Sequence, residues 1–177
     1  MDGRRYYSFA RPEDLLTKIA KRVEFFAIDS THLDRAQLRW LDERPPGGPP
    51  FFAWLHLYDP HEPYRPPPSP EALADAYDGE IAFADAAVGL VLDKLSSQGL
   101  LDRTLVAVVG DHGESLGDHG EETHSMFVYD SAIRVPMVLR ARGLLPAGKR
   151  VATPVRTIDL APTLLDLVEA PPLATPH

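Results

Sequence analysis

The sequence of 177 residues contains no cysteine. This absence excludes disulfide bridges, a thiolate zinc site and a cysteine nucleophile, and it leaves the redox compartment open. No apolar stretch approaches the roughly 20 residues that a membrane span requires, and residues Met1 to Tyr7 lack the apolar core of a signal peptide. We therefore expect no membrane segment in the sequence and no export signal at Met1 to Tyr7. The sequence indicates no particular localisation.

Positive charge is also scarce. The 18 lysines and arginines are outnumbered by 26 aspartates and glutamates, which gives a net charge of -8. Because the cations are spread among acids and form no basic stripe, this balance argues against a nucleic-acid partner. The hydrophobic fraction of 44% is ordinary for a globular protein, and the length suits one domain with a core of its own, over residues 1–177.

The most informative stretch is the apolar run Leu105–Val109 with the loop that follows it, Gly110–His124. This loop contains five carboxylates, three of the seven histidines and four glycines. A short β-branched run that ends at glycine predicts a buried strand, and open α/β sheets place their sites at the carboxyl ends of strands. Since carboxylate and imidazole groups are common ligands of divalent cations, we predict that Asp111 and His112 bind one such ion.

Two other interpretations compete for this loop. A solvated acidic turn is the simpler one, and the apolar strand directly before the loop argues against it. A calcium-binding EF-hand would place Asp111 and Glu122 at positions 1 and 12. That motif fails at position 3, which is Gly113, and at position 6, where Leu116 stands in place of the required glycine.

A second stretch with chemical potential follows the apolar run Phe51–Leu57, which predicts a strand covered on both faces. The strand leads into a proline-rich segment that contains His61. Prolines stiffen such a segment, and a stiff loop can direct a histidine. We interpret His56, inside the apolar run, as a buried structural residue beside the site.

The rest of the chain predicts an α/β protein. Apolar residues at helical spacing indicate four helices, over Pro12–Ala27, Thr31–Leu41, Ser69–Gly99 and Arg156–Val168. A further strand is expected at Ile133–Leu139, with Pro136 at its start or on an edge. The two strands on either side of the long central helix would form a βαβ unit, which would bring His61 and Asp111 to the same sheet edge.

Four motifs together resemble the carboxyl-terminal half of the catalytic domain of a sulfatase, in the alkaline phosphatase superfamily. Their order and spacing over about residues 10–170 carry the resemblance. They are Phe51–Tyr64 with Asp-Pro-His-x-Pro-Tyr; Tyr77–Ile81 with Asp85 and Gly89; Gly110–Pro136 with Thr123-His124 and Arg134-Val135-Pro136; and Thr157–Leu165. The resemblance implies a mostly parallel sheet flanked by helices.

The resemblance also implies roles for particular residues. Asp111 and His112 match the paired ligands of the active-site cation, with histidine where many sulfatases have asparagine. An imidazole ligand extends the choice of metal from calcium towards manganese or zinc. His61 matches the histidine that contacts the transferred sulfuryl or phosphoryl group, and His124 lies beside a position where many sulfatases use lysine. Glu114 and the second Asp-His-Gly, at Asp118, receive no role.

In the family, a strand with acidic ligands and a nucleophile precede these motifs, and neither occurs in this sequence. We therefore expect a fragment or half of a split protein, with the first strands absent and with no turnover by the chain alone. The expected substrate is a small anionic sulfate ester. The alternatives are a phosphoester or phosphonate hydrolase or a phosphoethanolamine transferase of the same superfamily, and a non-catalytic metal-binding fragment. An open sheet edge would favour self-association or pairing with the first half.

Overall fold

The computed structural model describes residues 24–30, 37–68, 75–124 and 126–172. The chain divides into two compact units, Met1–Leu101 and Asp102–His177. The described strands are β1 (Glu24–Ser30), β2 (Phe51–Leu57), β3 (Val106–Val109) and β4 (Met137–Arg140), and the described α-helices are α1 (Arg39–Asp42), α2 (Ala76–Ser97), α3 (Asp130–Ile133) and α4 (Leu160–Leu167).

In the first unit, β1 and β2 form a parallel ladder in which Glu24 pairs with Phe51 and Ser30 with Leu57. The predicted strand at Phe51–Leu57 is confirmed. The predicted helix over Pro12–Ala27 is wrong at its end, because residues 24–27 belong to β1. The apolar run there suits a strand, and ladder hydrogen bonds to β2 satisfy its backbone. Residues 12–23 of that prediction lie outside the described part of the chain.

Helices α1 and α2 pack on β2 and form the core of this unit. The buried cluster consists of Leu38, Leu41, Ala87, Leu95 and Leu100, and Phe51, Leu55 and Leu57 of β2 pack against it. The other face of β2 is open, with Phe52 45% and Trp54 59% exposed. The prediction of a strand covered on both faces is therefore wrong for the described residues, which place their helices against one face.

The long helix α2 begins at Ala76, after the capping residue Asp75. The side chain of Asp75 accepts hydrogen bonds from the backbone N–H groups of Tyr77 at 2.8 Å and Asp78 at 3.3 Å, which satisfies two donors of the first turn. The helix ends at Ser97, and Gly99 follows in the left-handed region with φ of 67°. The described part thus confirms the predicted helix from Ala76 onward, while residues 69–74 lie outside it. Of the predicted helix over Thr31–Leu41, only the last turn is described, as α1.

In the second unit, β3 and β4 pair antiparallel, with Val106 opposite Arg140 and Val109 opposite Met137. The predicted strand at Leu105–Val109 is confirmed in position. It is wrong in burial, since Val108 and Val109 are exposed. Consecutive side chains point to opposite faces of a strand, so both faces of β3 are open at this end among the described residues.

The expected strand over Ile133–Leu139 is wrong at its start, because Ile133 ends α3 and β4 begins at Met137. Pro136 has no N–H to donate to a ladder, and its carbonyl oxygen accepts a hydrogen bond from the N–H of Gly110 at 3.2 Å. The predicted last helix is confirmed as a 3-10 turn, Thr157–Asp159, that continues into α4.

Within the described residues, β2 and β3 thus belong to separate ladders, one parallel and one antiparallel. The βαβ unit that would join them in one sheet stays a prediction, as does a single domain over residues 1–177. None of the helices in the described ranges combines the length and apolar character needed to cross a bilayer.

Candidate active site

The turn after β3 holds the two predicted metal ligands, Asp111 and His112, between two backbone hydrogen bonds. The N–H of Gly110 donates to the carbonyl of Pro136 at 3.2 Å, and the N–H of Gly113 donates to the carbonyl of Ala132 at 2.7 Å. Ala132 belongs to α3, and Pro136 directly precedes β4. The Asp111-His112 dipeptide is therefore held on both sides by hydrogen bonds to residues 132–136.

Glycine is required at position 113 by close packing. A Cβ atom there would overlap the carbonyl oxygen of Ser131 and would lie 3.2 Å from the carbonyl oxygen of Arg134. Both neighbours are backbone atoms, so no side chain could rotate away to make room. The close approach of this turn to α3 explains why the Asp-His pair is followed directly by glycine.

The imidazole of His112 is oriented by its own turn. Its Nδ1 lies 2.8 Å from the carbonyl oxygen of Gly113, and because a carbonyl can only accept, Nδ1 carries the proton. A neutral ring then has its lone pair on Nε2, which lies 3.9 Å from Oδ1 of Asp111. Two ligands of one cation with bonds of about 2.0–2.6 Å cannot be more than about 5 Å apart, so this spacing fits a shared divalent ion.

His124 lies against His112, with ring centroids 3.8 Å apart and planes tilted by 30°. Its Nδ1 donates to the carboxylate of Glu114, whose two oxygens are both 3.3 Å away. The Glu114 side chain is only 6% exposed, whereas that of His124 is 30% exposed. A buried carboxylate thus holds a partly exposed imidazole beside the candidate ligand pair.

The other candidate histidine, His61, belongs to the first unit and has its own set of contacts. Its Nδ1 lies 2.6 Å from the carbonyl oxygen of Glu62 and 2.9 Å from the hydroxyl of Tyr58. The rings of Tyr58 and His61 stack with centroids 4.4 Å apart. Since the carbonyl can only accept, Nδ1 is again the protonated nitrogen, and the tyrosine ring limits rotation of the imidazole.

The structure therefore brings together three of the four predicted site residues, Asp111, His112 and His124. The fourth, His61, lies in the other unit, and its proximity to Asp111 stays a prediction. Within the described ranges, no group of three or more histidine and acidic side chains has the geometry of a complete metal site. The pair Asp111 and His112 fits a cation only as part of a larger ligand set.

Two further histidines, His56 and His119, lie outside this cluster. The prediction that His56 is buried is wrong, because its side chain lies on the open face of β2 with Trp54 and is exposed. Alternation along the strand places Leu55 and Leu57 towards the core and His56 away from it. In the second Asp-His-Gly, His119 is exposed and stacks on Tyr129 at 4.0 Å.

Sequence reasoning missed two carboxylates that hold the candidate histidines. Glu114 contacts His124, and Glu80 of α2 accepts a hydrogen bond from the backbone N–H of His61 at 2.9 Å. Glu80 carried a signal, since positions 80, 84, 87 and 91 follow one face of α2 and a charge on an apolar face is unusual. Glu114 carried none, because its partner is ten residues away in an irregular loop.

Comparison with known proteins decides the family. A sequence model described as Sulfatase matches residues 4–170. The chain belongs to the sulfatase family. Within that family, the chain is 36% identical over 92 residues to a choline-sulfatase of Rhizobium meliloti (strain 1021), an alignment that covers 52% of the chain and 17% of the relative.

Solved structures resemble the chain in fold. Ps i-CgsB, in a complex with k-i-k-neocarrahexaose, matches with a TM-score of 0.63 and 26% identity over 77% of this chain and 33% of that protein. The phosphonate monoester hydrolase SpPMH from Silicibacter pomeroyi matches with a TM-score of 0.50 and 41% identity over 54% of this chain and 19% of that protein. The chain thus spans a third or less of each of these three proteins. The solved structures that it resembles have the alkaline-phosphatase-like fold.

Proposed function

We propose that this chain supplies part of the active site of a metal-dependent sulfuric ester hydrolase, corresponding to the carboxyl-terminal half of the catalytic domain. The observation that supports the proposal most strongly is the contact between His112 and His124 beside Asp111. It gathers two types of cation ligand and one anion-binding group in a single loop of a sulfatase-family chain.

Asp111 and His112 would hold the cation through Oδ1 and Nε2, and the remaining ligands would come from other residues. Calcium, manganese and zinc are the candidate ions. The bound cation would polarise an ester oxygen and stabilise negative charge. Hydrogen bonding of His112 Nδ1 to the Gly113 carbonyl keeps the ring in the tautomer that a metal ligand requires.

His124 and His61 would bind oxygens of the anionic ester group. In each ring Nδ1 is used by the protein, through Glu114 for His124 and through the Glu62 carbonyl for His61. Because Nδ1 already carries a proton, the opposite nitrogen, Nε2, would donate to a substrate oxygen in the doubly protonated imidazolium form of each ring. That form would stabilise negative charge that develops in the transition state. Orientation of the rings before substrate binds would reduce the cost of assembling these contacts.

Cation binding by the whole chain tests the first part of the proposal. Calorimetric titrations with Mn²⁺, Zn²⁺ and Ca²⁺ should detect one site, and the double variant Asp111→Asn, His112→Ala should abolish it. The matched control is Asp118→Asn, His119→Ala, which makes the same changes in the exposed second Asp-His-Gly and should retain binding. Equal binding by both double variants would contradict the assignment.

The second candidate function is hydrolysis of a phosphate or phosphonate ester. It is favoured by the 41% identity to a phosphonate monoester hydrolase and by the imidazole at position 112. To distinguish the two candidates, inorganic sulfate and inorganic phosphate are added separately to the metal-loaded chain. The anion that shifts the NMR signals of the His124 imidazole at the lower concentration indicates the class of ester. A chain that binds metal and neither anion would instead be a non-catalytic metal-binding protein.

A further inference from the structure

Glu80 is a buried charge on α2, with only 2% of its surface exposed. Burial of a carboxylate is unfavourable unless hydrogen bonds replace the lost water. The neighbouring positions on this face of the helix contribute to the core of the first unit, including Ala87 and Leu95. Glu80 therefore occupies a position at which an apolar residue would serve packing better.

Both oxygens of Glu80 are used by one short loop. Oε2 accepts a hydrogen bond from the backbone N–H of His61 at 2.9 Å, and Oε1 accepts one from the backbone N–H of Arg65. The two donors are four residues apart, so a single rigid carboxylate fixes the two ends of the segment 61–65. Charge-assisted bonds of this type are about twice as strong as bonds between neutral groups.

Two neighbouring contacts seat the same loop on the first turns of α2. The ring of Tyr64 meets that of Tyr77 edge-on, with centroids 5.3 Å apart. Gly79 packs against Pro66 so closely that a Cβ atom would lie 2.8 Å from Cγ of the proline ring. The loop thus rests on a helix surface shaped for it, with Glu80 at the centre.

We propose that Glu80 is a positioning residue that directs His61 by holding the backbone of residues 61–65. The contact between Nδ1 and the Glu62 carbonyl lies inside this held segment, so loss of the carboxylate would change the ring orientation and its tautomer. The proposal rests on the anion-binding role of His61 for its functional meaning. Its structural content can be tested without turnover.

The test is Glu80→Gln in the full chain, measured by residue-resolved amide exchange and by nitrogen NMR of the imidazoles. Glutamine keeps the size and replaces one acceptor by a donor, so one backbone N–H must lose its partner. We expect the amide of His61 or Arg65 to exchange roughly tenfold faster, as for the loss of one hydrogen bond. The His61 signals should shift away from the Nδ1-protonated form, while those of His112 and His124 stay unchanged.

The matched control is Glu62→Gln, the same substitution at an exposed side chain of the same loop, which should leave both measurements at the wild-type values. A Glu80→Gln chain that folds with unaltered His61 signals would overturn the proposal. If that variant does not fold, exchange in the wild-type chain decides: protected amides at His61 and Arg65 support the proposal, and unprotected ones refute it. Absence of sulfate or phosphate binding at His61 would refute the proposed function and leave these results standing.

Discussion

Replacement of Gly113 by alanine should destabilise the second unit more than any other glycine-to-alanine change in the Asp-His loop. The added Cβ would overlap the carbonyl oxygen of Ser131 and crowd that of Arg134, both of which are backbone atoms. Insertion of a methyl group into a packed site that must deform costs about 1–3 kcal/mol. Because no flexible side chain can move aside at this position, we expect Gly113→Ala to lower the free energy of unfolding by about 3 kcal/mol.

The matched control is Gly89→Ala, the same chemical change inside α2 with no heavy atom within 4 Å of the new Cβ. Alanine is favoured over glycine in a helix interior by roughly 0.5–1 kcal/mol, so this variant should be more stable than the wild type. The two substitutions therefore have predicted effects of opposite sign.

Urea unfolding followed by circular dichroism measures both effects. With a denaturant dependence of about 2 kcal/mol/M, Gly113→Ala should lower the midpoint by about 1.5 M and Gly89→Ala should raise it by about 0.3–0.5 M. Amide exchange would assign each change to its unit. A Gly113→Ala midpoint at or above the wild-type value would refute the close packing of the Asp-His turn against α3.

Four other outcomes are expected. Glu114→Gln should increase the mobility of the His124 ring in NMR relaxation, with unchanged amide signals in the first unit. The pKa of Asp159 is held below its ordinary value by hydrogen bonds from Arg156. The contribution of this pair to the start of α4 should therefore be complete above about pH 4 and lost as the pH falls through the lowered pKa, which amide shifts near residue 159 would report. The chain alone, loaded with metal, should show no turnover of aryl sulfates or aryl phosphates, and metal-dependent turnover lost in Asp111→Asn would contradict the half-site proposal. Trp54→Lys should reduce self-association in sedimentation experiments, because this exposed indole contributes to the open face of β2.

Elements with strong local signals could be predicted from the sequence. The apolar run Phe51–Leu57, the long helix through residue 97 and the final helix near Leu160 have the spacing of their structures, and the structure confirms them where it describes them. The antiparallel pairing of β3 with β4 was not among the expectations, because pairing direction depends on partners remote in sequence. β1 shows the same limit, since its apolar residues also fit the end of a helical pattern until β2 is available to pair with it.

Burial was harder to predict than secondary structure. His56 and Val108 lie in runs that are apolar along their whole length, which is typical of strands covered on both faces. Helices cover β2 on one face, which leaves His56 exposed on the other. At the end of β3, Val108 and Val109 point to opposite faces and both are exposed. Composition alone therefore overstates how much of these strands is buried in this chain.

The candidate metal ligands are easier to recognise in the sequence than the residues that orient the candidate histidines. Asp111 and His112 are neighbours directly after a strand, a pattern that is visible over a few residues. Glu80 is nineteen residues from His61, and its role depends on a carboxylate that spans two backbone donors. What the sequence does show is an acid on the apolar face of α2, a placement that packing alone would disfavour. A carboxylate at such a position therefore indicates that hydrogen-bond donors from another segment contact it. The nearest loop with a candidate functional residue is the one that contains His61.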